Sequence, residues 1–196
     1  VDAATLAGAT MYLFRGGEVA LYDTASGQAT VQPISALWPG LPPSFTSDLE
    51  CAFANGQTLY LCRGGRYVAA DLSANPVTFS APSPLNTWPL WPASDPWGQG
   101  VLDRCGTWID TSLPVALLFG VQTPPAAYLK MFLTPYGTIE VDAIGGLGDV
   151  IPPATTQIVN SLTAGDFDAY ITQTDMAPFP NTHWLFQGPV VWKQVN

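Results

Sequence analysis

The chain has 196 residues, of which 47% are hydrophobic and 11% are charged, so it can bury a sizeable core and is too apolar for extended disorder. Its 15 acidic residues outnumber its 6 basic ones and give a net charge of −9, which disfavours binding to the phosphates of a nucleic acid. The longest apolar stretch, residues 113–121, contains a proline and a glycine and is far shorter than the roughly 20 residues of a membrane-spanning helix.

Strand-like segments joined by paired glycines are predicted near the N-terminus. Met11–Phe14 and Glu18–Tyr22 flank a Gly-Gly pair at 16–17, which suits a tight hairpin that requires positive φ. The same arrangement follows at Leu59–Cys62 and Arg66–Ala70, around a second Gly-Gly pair at 64–65. Proline and glycine punctuate short apolar runs along the whole chain, so we predict a mostly β protein.

These hairpins are copies of one motif. Tyr-Leu-Phe-Arg-Gly-Gly at 12–17 returns as Tyr-Leu-Cys-Arg-Gly-Gly at 60–65, which is a spacing of 48 residues, and a weaker copy reads His-Trp-Leu-Phe-Gln-Gly at 183–188. A fixed period of this size indicates a repeated supersecondary unit that buries its apolar face only when copies stack.

Each unit opens with a short strand in which a carboxylate follows an apolar residue. The carboxylates are Asp2, Glu50, Asp103 and Asp168. They are separated by 48, 53 and 65 residues, so the third unit carries an insertion. A Trp-Pro turn follows the first unit at Trp38 and the second at Trp88, and both indoles are predicted to pack in the core between units.

The order of these motifs resembles the hemopexin repeat. The residues that carry the resemblance are apolar-Asp-Ala-Ala at 1–4, Tyr-Leu-Phe-Arg-Gly-Gly at 12–17 and Gln-Pro-Ile-Ser-Ala-Leu-Trp-Pro-Gly-Leu-Pro at 32–42. The resemblance is close over residues 1–98, moderate over 163–196 and poor over 106–160. It implies a single all-β domain, a four-bladed β-propeller with blades of about 48–65 residues at 1–45, 46–98, 99–162 and 163–196.

The resemblance also implies that the opening strand of each blade lines a central channel. Residues 1–10 and the last blade lack the cysteines by which secreted relatives lock the first blade to the fourth, so the chain looks closer to plant seed albumins and to microbial or fungal single-propeller members. Closure of the ring is then expected to depend on packing.

An acidic ring is predicted at the mouth of that channel. If the opening strands surround one axis, Asp2, Glu50, Asp103 and Asp168 stand at one end of it, with Asp48 and Asp166 as accessory acids two residues before two of them. Such a ring suits Ca²⁺ or another cation, held in the resembled family largely by main-chain carbonyls, or a polyamine. The alternative is that each carboxylate caps its strand or bonds to the amides of a neighbouring blade.

Two further groups of residues suggest other ligands. Trp91 and Trp97 lie among prolines and, if exposed, would stack on sugars as in a lectin. His183 is the sole histidine, so haem ligation by two histidines would need a homodimer, and haem is disfavoured. No nucleophile with a partner base is visible, so we expect no enzyme.

The three cysteines, Cys51, Cys62 and Cys105, cannot all pair within one chain. Cys51 and Cys62 are expected on adjacent strands as buried free thiols, with a disulfide between them as the alternative. Because there is no disulfide framework and no Asn-x-Ser/Thr acceptor, reducing, intracellular surroundings are favoured, without excluding secretion.

The sequence therefore predicts a non-enzymatic protein that binds a cation or polyamine at the acidic channel mouth. A carbohydrate-binding defence protein is the first alternative, and its partner would be a glycan. A storage or protein-interaction module with only a structural cation is the second, and haem binding through a dimer is the third.

Overall fold

The computed structural model describes residues 1–88 in full and, after them, the backbone of seven strands. The first unit contains β1 (Ala3–Ala7), β2 (Thr10–Arg15), β3 (Glu18–Asp23), β4 (Ala29–Pro33) and the short helix α1 (Ile34–Leu37). A 3-10 turn (Pro43–Phe45) follows α1, and the second unit contains β5 (Cys51–Asn55), β6 (Thr58–Arg63), β7 (Arg66–Asp71), β8 (Thr78–Phe79), β9 (Ser83–Pro84) and a 3-10 turn (Leu85–Thr87).

The later strands are β10 (Arg104–Asp110), β11 (Leu113–Gly120), β12 (Ala127–Leu133), β13 (Ile139–Gly145), β14 (Ala169–Gln173), β15 (Thr182–Gln187) and β16 (Val190–Val195). Almost all of the regular structure in the described residues is therefore β, and the all-β prediction is confirmed. No helix in this part of the chain is long and apolar enough to cross a bilayer.

The first two units are antiparallel sheets with consecutive strands side by side. Their orders are β1-β2-β3-β4 and β5-β6-β7-β8, with β9 also paired to β7. The predicted hairpins are confirmed, because β2 pairs with β3 and β6 pairs with β7 around Gly16 and Gly64, whose φ values are 53° and 58°. A side chain at either position would be strained, so the sequence places glycine there twice.

In the first two units, the opening strands are the most deeply buried. Ala3, Ala4 and Thr5 of β1 are at most 1% exposed, and Cys51, Ala52 and Phe53 of β5 are fully buried. Small side chains on β1 suit a strand that is enclosed on both faces, whereas β4 is largely exposed, including Val31 at 65%. The burial therefore decreases from the first strand of the first unit to its last.

A shared core fills the space between the first two units. Phe14, Val19 and Ile34 of the first unit are fully buried and belong to the same cluster as Leu59 and Val68 of the second. Neither sheet encloses this cluster alone, as expected for a unit that becomes stable only when copies stack.

The third and fourth units form one seven-stranded sheet of order β13-β12-β11-β10-β14-β15-β16. The third unit, which has the least regular sequence, is a four-stranded meander with a single register shift between Lys130 and Met131. Its opening strand β10 pairs in parallel with β14, with Gly106 opposite Tyr170. Opening strands of successive propeller blades run in the same direction, as β10 and β14 do.

This parallel pairing differs from the expectation of four separate sheets. The arrangement as a whole is nevertheless consistent with a four-bladed propeller, because the chain supplies four successive antiparallel units whose opening strands lie together. The proposed blade boundaries at 45/46, 98/99 and 162/163 stay predictions.

Candidate functional site

The opening strands of all four units lie against one another. The strand β1 contacts β5, β10 and β14, while β5 contacts β10, and β10 is hydrogen-bonded to β14. Residues far apart in sequence are thereby gathered around one region. Any ligand bound where these strands begin would contact several units at once.

Asp2 precedes the first of these strands and is tied to the hairpin of its own unit. Its Oδ2 accepts a hydrogen bond from the backbone N–H of Gly16 at 2.6 Å, and its own N–H donates to the carbonyl of Phe14 at 2.8 Å. The side chain is exposed, and Oδ1 accepts no hydrogen bond within the described residues. One carboxylate oxygen is thus used structurally and the other is available.

Glu50 repeats this arrangement in the second unit. Its Oε2 accepts a hydrogen bond from the N–H of Gly64 at 2.8 Å, and its N–H donates to the carbonyl of Cys62 at 3.0 Å. The 48-residue period is therefore kept in the contacts as well as in the residue types, although glutamate is one methylene longer than aspartate. Both acids bond to an amide of their own unit's hairpin, whereas the structural alternative expected amides of a neighbouring blade, and each retains a second oxygen.

Asp48 lies in a different local environment from Glu50. Its φ is 50° and β5 begins only at Cys51, so the alternation of a strand does not extend back to Asp48. Its Oδ2 is 3.2 Å from the guanidinium of Arg63, and its N–H donates to the carbonyl of Gly16 at 2.9 Å. It therefore connects the hairpin of the first unit to a cation of the second.

Arg63 strengthens this connection between the units. Its guanidinium donates to the carbonyl of Ser44 at 2.9 Å and to the hydroxyl of Ser47 at 3.2 Å, in addition to Asp48. The Asp48 side chain is 66% exposed, so solvent screens the ion pair and its contribution to stability is small. The negative charge of Asp48 is nevertheless partly compensated.

The other predicted site residues fall in the less described part of the chain. Asp103, Asp168, Asp166, Trp91 and Trp97 lie outside the described residues. His183 lies on β15, opposite Thr172 on one side and Gln194 on the other. Among the residues that are described in full, no three His, Cys, Asp or Glu side chains are grouped as metal ligands. The four-acid site stays a prediction.

The predicted burial of the two repeat tryptophans is confirmed, and the predicted position between units is confirmed for Trp38. Trp38 is 4% exposed, and its ring lies 5.9 Å from that of Tyr12 and 6.1 Å from that of Phe79, which belongs to the second unit. Trp88 is 3% exposed and contacts the rings of Phe53, Tyr60 and Tyr67. These two indoles are not available to a ligand.

The cysteines differ from what the sequence suggested. Cys62 is free and 2% exposed, as expected, but Cys51 is disulfide-bonded, so the prediction of a free thiol there is wrong. The alternative pairing of Cys51 with Cys62 is wrong as well, since Cys62 is free. Burial raises the pKa of Cys62, and the nearby charge of Glu50 raises it further. A disulfide persists mainly in oxidising compartments, which removes the basis for favouring reducing surroundings.

Two exposed acids that the sequence analysis did not single out stabilise loops. Asp23 accepts hydrogen bonds from the N–H groups of Ser26 and Ala25, which lower its pKa. Asp71, 48 residues later, accepts from the hydroxyl and N–H of Ser73, and its pKa is lowered too. The signal was an aspartate followed by small polar residues at the end of a strand.

Comparison with known proteins agrees with this architecture. The family model described as Hemopexin matches residues 1–43. The chain covers 91% of a 2S albumin seed protein from Dolichos, over 100% of its own length, with 13% identity and a TM-score of 0.69. A hemopexin fold protein from cow pea is matched over 98% of this chain and 84% of its own, with 15% identity and a TM-score of 0.70.

A third similar structure is a plant lectin with two metal binding sites from Cicer arietinum. It is matched over 98% of this chain and 84% of its own, with 14% identity and a TM-score of 0.69. No curated protein sequence matches the chain. The family match and the shared fold support a hemopexin-like propeller that resembles the plant seed albumins, as the sequence predicted.

Proposed function

We propose that this hemopexin-like chain is a non-enzymatic binding protein that holds a cation or a polyamine where its four opening strands begin. The acids of the site are Asp2, Glu50, Asp103 and Asp168. The observation that carries the proposal is the repeated geometry of Asp2 and Glu50. Each uses one oxygen to fix the hairpin of its own unit and keeps the other oxygen free of hydrogen bonds within the described residues.

The chemistry of this arrangement favours a positively charged ligand. A carboxylate whose position is fixed by a backbone N–H needs little reorganisation to contact a cation, which reduces the entropic cost of binding. Hard cations such as Ca²⁺ prefer oxygen ligands, and carbonyls at the beginnings of the strands would complete the coordination. The net charge of −9 attracts cations of either kind to the protein.

Isothermal titration calorimetry with Ca²⁺ and with spermine tests the proposal. The site variant combines Asp2→Asn, Glu50→Gln, Asp103→Asn and Asp168→Asn, which removes four charges, and at positions 2 and 50 the amide retains an oxygen for the glycine N–H. The matched control removes four charges elsewhere, by Glu18→Gln, Asp23→Asn, Asp71→Asn and Glu140→Gln.

We expect at least one of the two ligands to bind the natural chain. The site variant should lose at least about tenfold in affinity, which corresponds to about 1.4 kcal/mol, whereas the control should change much less. Absence of binding by both ligands would contradict the proposal. Equal losses in the two variants would contradict it too, because they would indicate attraction by net charge alone.

Carbohydrate binding is the second candidate, favoured by the similarity to a plant lectin. In this case Trp91 and Trp97 would stack on the sugar. Titration with glycans should quench or shift tryptophan fluorescence, and Trp91→Ala with Trp97→Ala should abolish the change. A flat response across a glycan array would remove this candidate.

The two remaining alternatives have distinct signatures. A storage or interaction module with only a structural cation would melt at a lower temperature after treatment with a chelator, yet would bind neither spermine nor glycans. Haem bound through His183 of two copies would give a Soret band and a dimer, and both would disappear in His183→Ala.

A further inference from the structure

We infer that Cys51 is bonded to Cys105, and that this disulfide is a redox-sensitive brace between the second and third units beside the central strands. The assignment is by elimination. The chain has three cysteines, Cys51 is disulfide-bonded, and Cys62 is free. Cys105 is the partner that remains within one chain.

The backbone positions agree with this pairing. Cys51 is the first residue of β5, and Cys105 is the second residue of β10. In the sheet, Cys105 pairs with Leu118 of β11 on one side and with Ala169 of β14 on the other. The strands β5 and β10 contact each other, and among the described residues no backbone pairing joins their sheets. A covalent bond here therefore connects two units that are otherwise held by packing.

Cys62 explains why the brace does not rearrange. It lies directly opposite Cys51 in the register of β5 and β6, where its thiolate would be well placed to attack the Cys51 sulfur. Its thiol is 2% exposed, and burial raises its pKa, which disfavours the reactive thiolate. The disulfide is therefore protected from exchange with its nearest thiol.

Reduction by a dithiol would release the brace. The dithiol is oxidised to its own disulfide and gives two electrons and two protons to the protein, so that the Cys51–Cys105 bond breaks and two thiols form. The disulfide closes a long loop, from position 51 to position 105, and its loss enlarges the entropy of the unfolded chain. The expected result is a lower melting temperature.

Peptide mapping tests the pairing directly. The full-length chain is unfolded in iodoacetamide without reductant and digested with chymotrypsin, which cleaves after Phe53 and Tyr60 and so separates Cys51 from Cys62. We expect one alkylated cysteine, Cys62, and a linked pair of peptides that contain Cys51 and Cys105. Three alkylated cysteines, a Cys51–Cys62 or Cys62–Cys105 link, or a disulfide-linked dimer on a non-reducing gel would overturn the inference.

Thermal unfolding tests the brace. A dithiol should lower the melting temperature of the natural chain by roughly 5–15 °C and should leave Cys51→Ser with Cys105→Ser unchanged. The control Cys62→Ala keeps the disulfide and should respond to the dithiol as the natural chain does. An equal melting temperature of the natural chain with and without reductant would overturn the proposed brace.

Discussion

Replacement of Trp38 by alanine should weaken the packing between the first two units and lower the free energy of unfolding. The indole is 4% exposed and lies within 6.2 Å, centroid to centroid, of the rings of Tyr12 and Phe14 in its own unit and of Phe79 in the next. Truncation of a buried tryptophan to alanine costs about 3–5 kcal/mol, because apolar burial is lost and a cavity remains. For a chain of this length, that corresponds to a decrease in melting temperature of roughly 6–20 °C.

The variant is best measured by guanidinium unfolding followed by far-ultraviolet circular dichroism, because the substitution removes one of the fluorescent tryptophans. Trp38→Phe should cost less than Trp38→Ala, since a ring remains. Val31→Ala is the control, because that side chain is 65% exposed on β4 and its truncation should change stability by less than about 0.5 kcal/mol.

A double-mutant cycle isolates the contact between the units. The rings of Trp38 and Phe79 meet edge to face, with an interplanar angle of 67°, and such a pair contributes about 0.5–1.5 kcal/mol beyond its buried area. Combining Trp38→Ala with Phe79→Ala should therefore cost less than the sum of the single variants by about that amount. Additive costs, or a cost below about 1 kcal/mol for Trp38→Ala, would refute the reasoning.

Three further substitutions test individual contacts. Glu50→Ala should lower the free energy of unfolding by about 1 kcal/mol because the amide of the hairpin loses its acceptor, whereas Glu50→Gln should cost less; equal costs would contradict the role of the hydrogen bond. Asp48→Asn should cost less than about 1 kcal/mol, since the ion pair with Arg63 is solvent-screened, and a larger loss would show that the pair matters more than its exposure suggests. Asp23→Ala with Asp71→Ala should be less stable than the natural chain at neutral pH. The lowered pKa values mean that this advantage of the natural chain is present above the unfolded value of 3.8 and lost as pH falls through the folded values, so a pH-independent difference in thermal melts would contradict the account.

The repeat made much of the fold predictable from sequence. The Gly-Gly pairs required positive φ and were flanked by strand-like segments, so the hairpins at Gly16 and Gly64 followed from local chemistry. The tryptophans of the Trp-Pro turns recurred with the period, which favoured a structural role over ligand binding. Local and periodic signals of this kind do not depend on how distant parts of the chain meet.

Contacts between units that are far apart in sequence were harder to predict. The parallel pairing of β10 with β14 depends on how closely two opening strands approach, which no local sequence pattern indicates. The disulfide of Cys51 depends on which cysteine lies near it in space, and the period of the repeat does not indicate this. Asp48 was expected to share a face with Glu50, but its left-handed backbone lies before the strand begins.

The equivalence of Asp2 and Glu50 was predictable from the sequence, but the geometry of their contacts was less so. The 48-residue period correctly identified Asp2 and Glu50 as equivalent acids. In the structure each accepts a hydrogen bond from the hairpin glycine of its own unit, Gly16 for Asp2 and Gly64 for Glu50. The sequence did not indicate that the N–H of a hairpin glycine would occupy one oxygen of each carboxylate, because this depends on the distance between the carboxylate and the turn.

A crystal structure of the full chain grown with Ca²⁺ and spermine tests the central claim most directly. We predict one of these ligands at the place where the four opening strands begin, in contact with oxygens of Asp2, Glu50, Asp103 and Asp168 or of the adjacent carbonyls. A structure in which neither ligand occupies that place, or in which the four acids are spread over the outer surface, would contradict the proposed function.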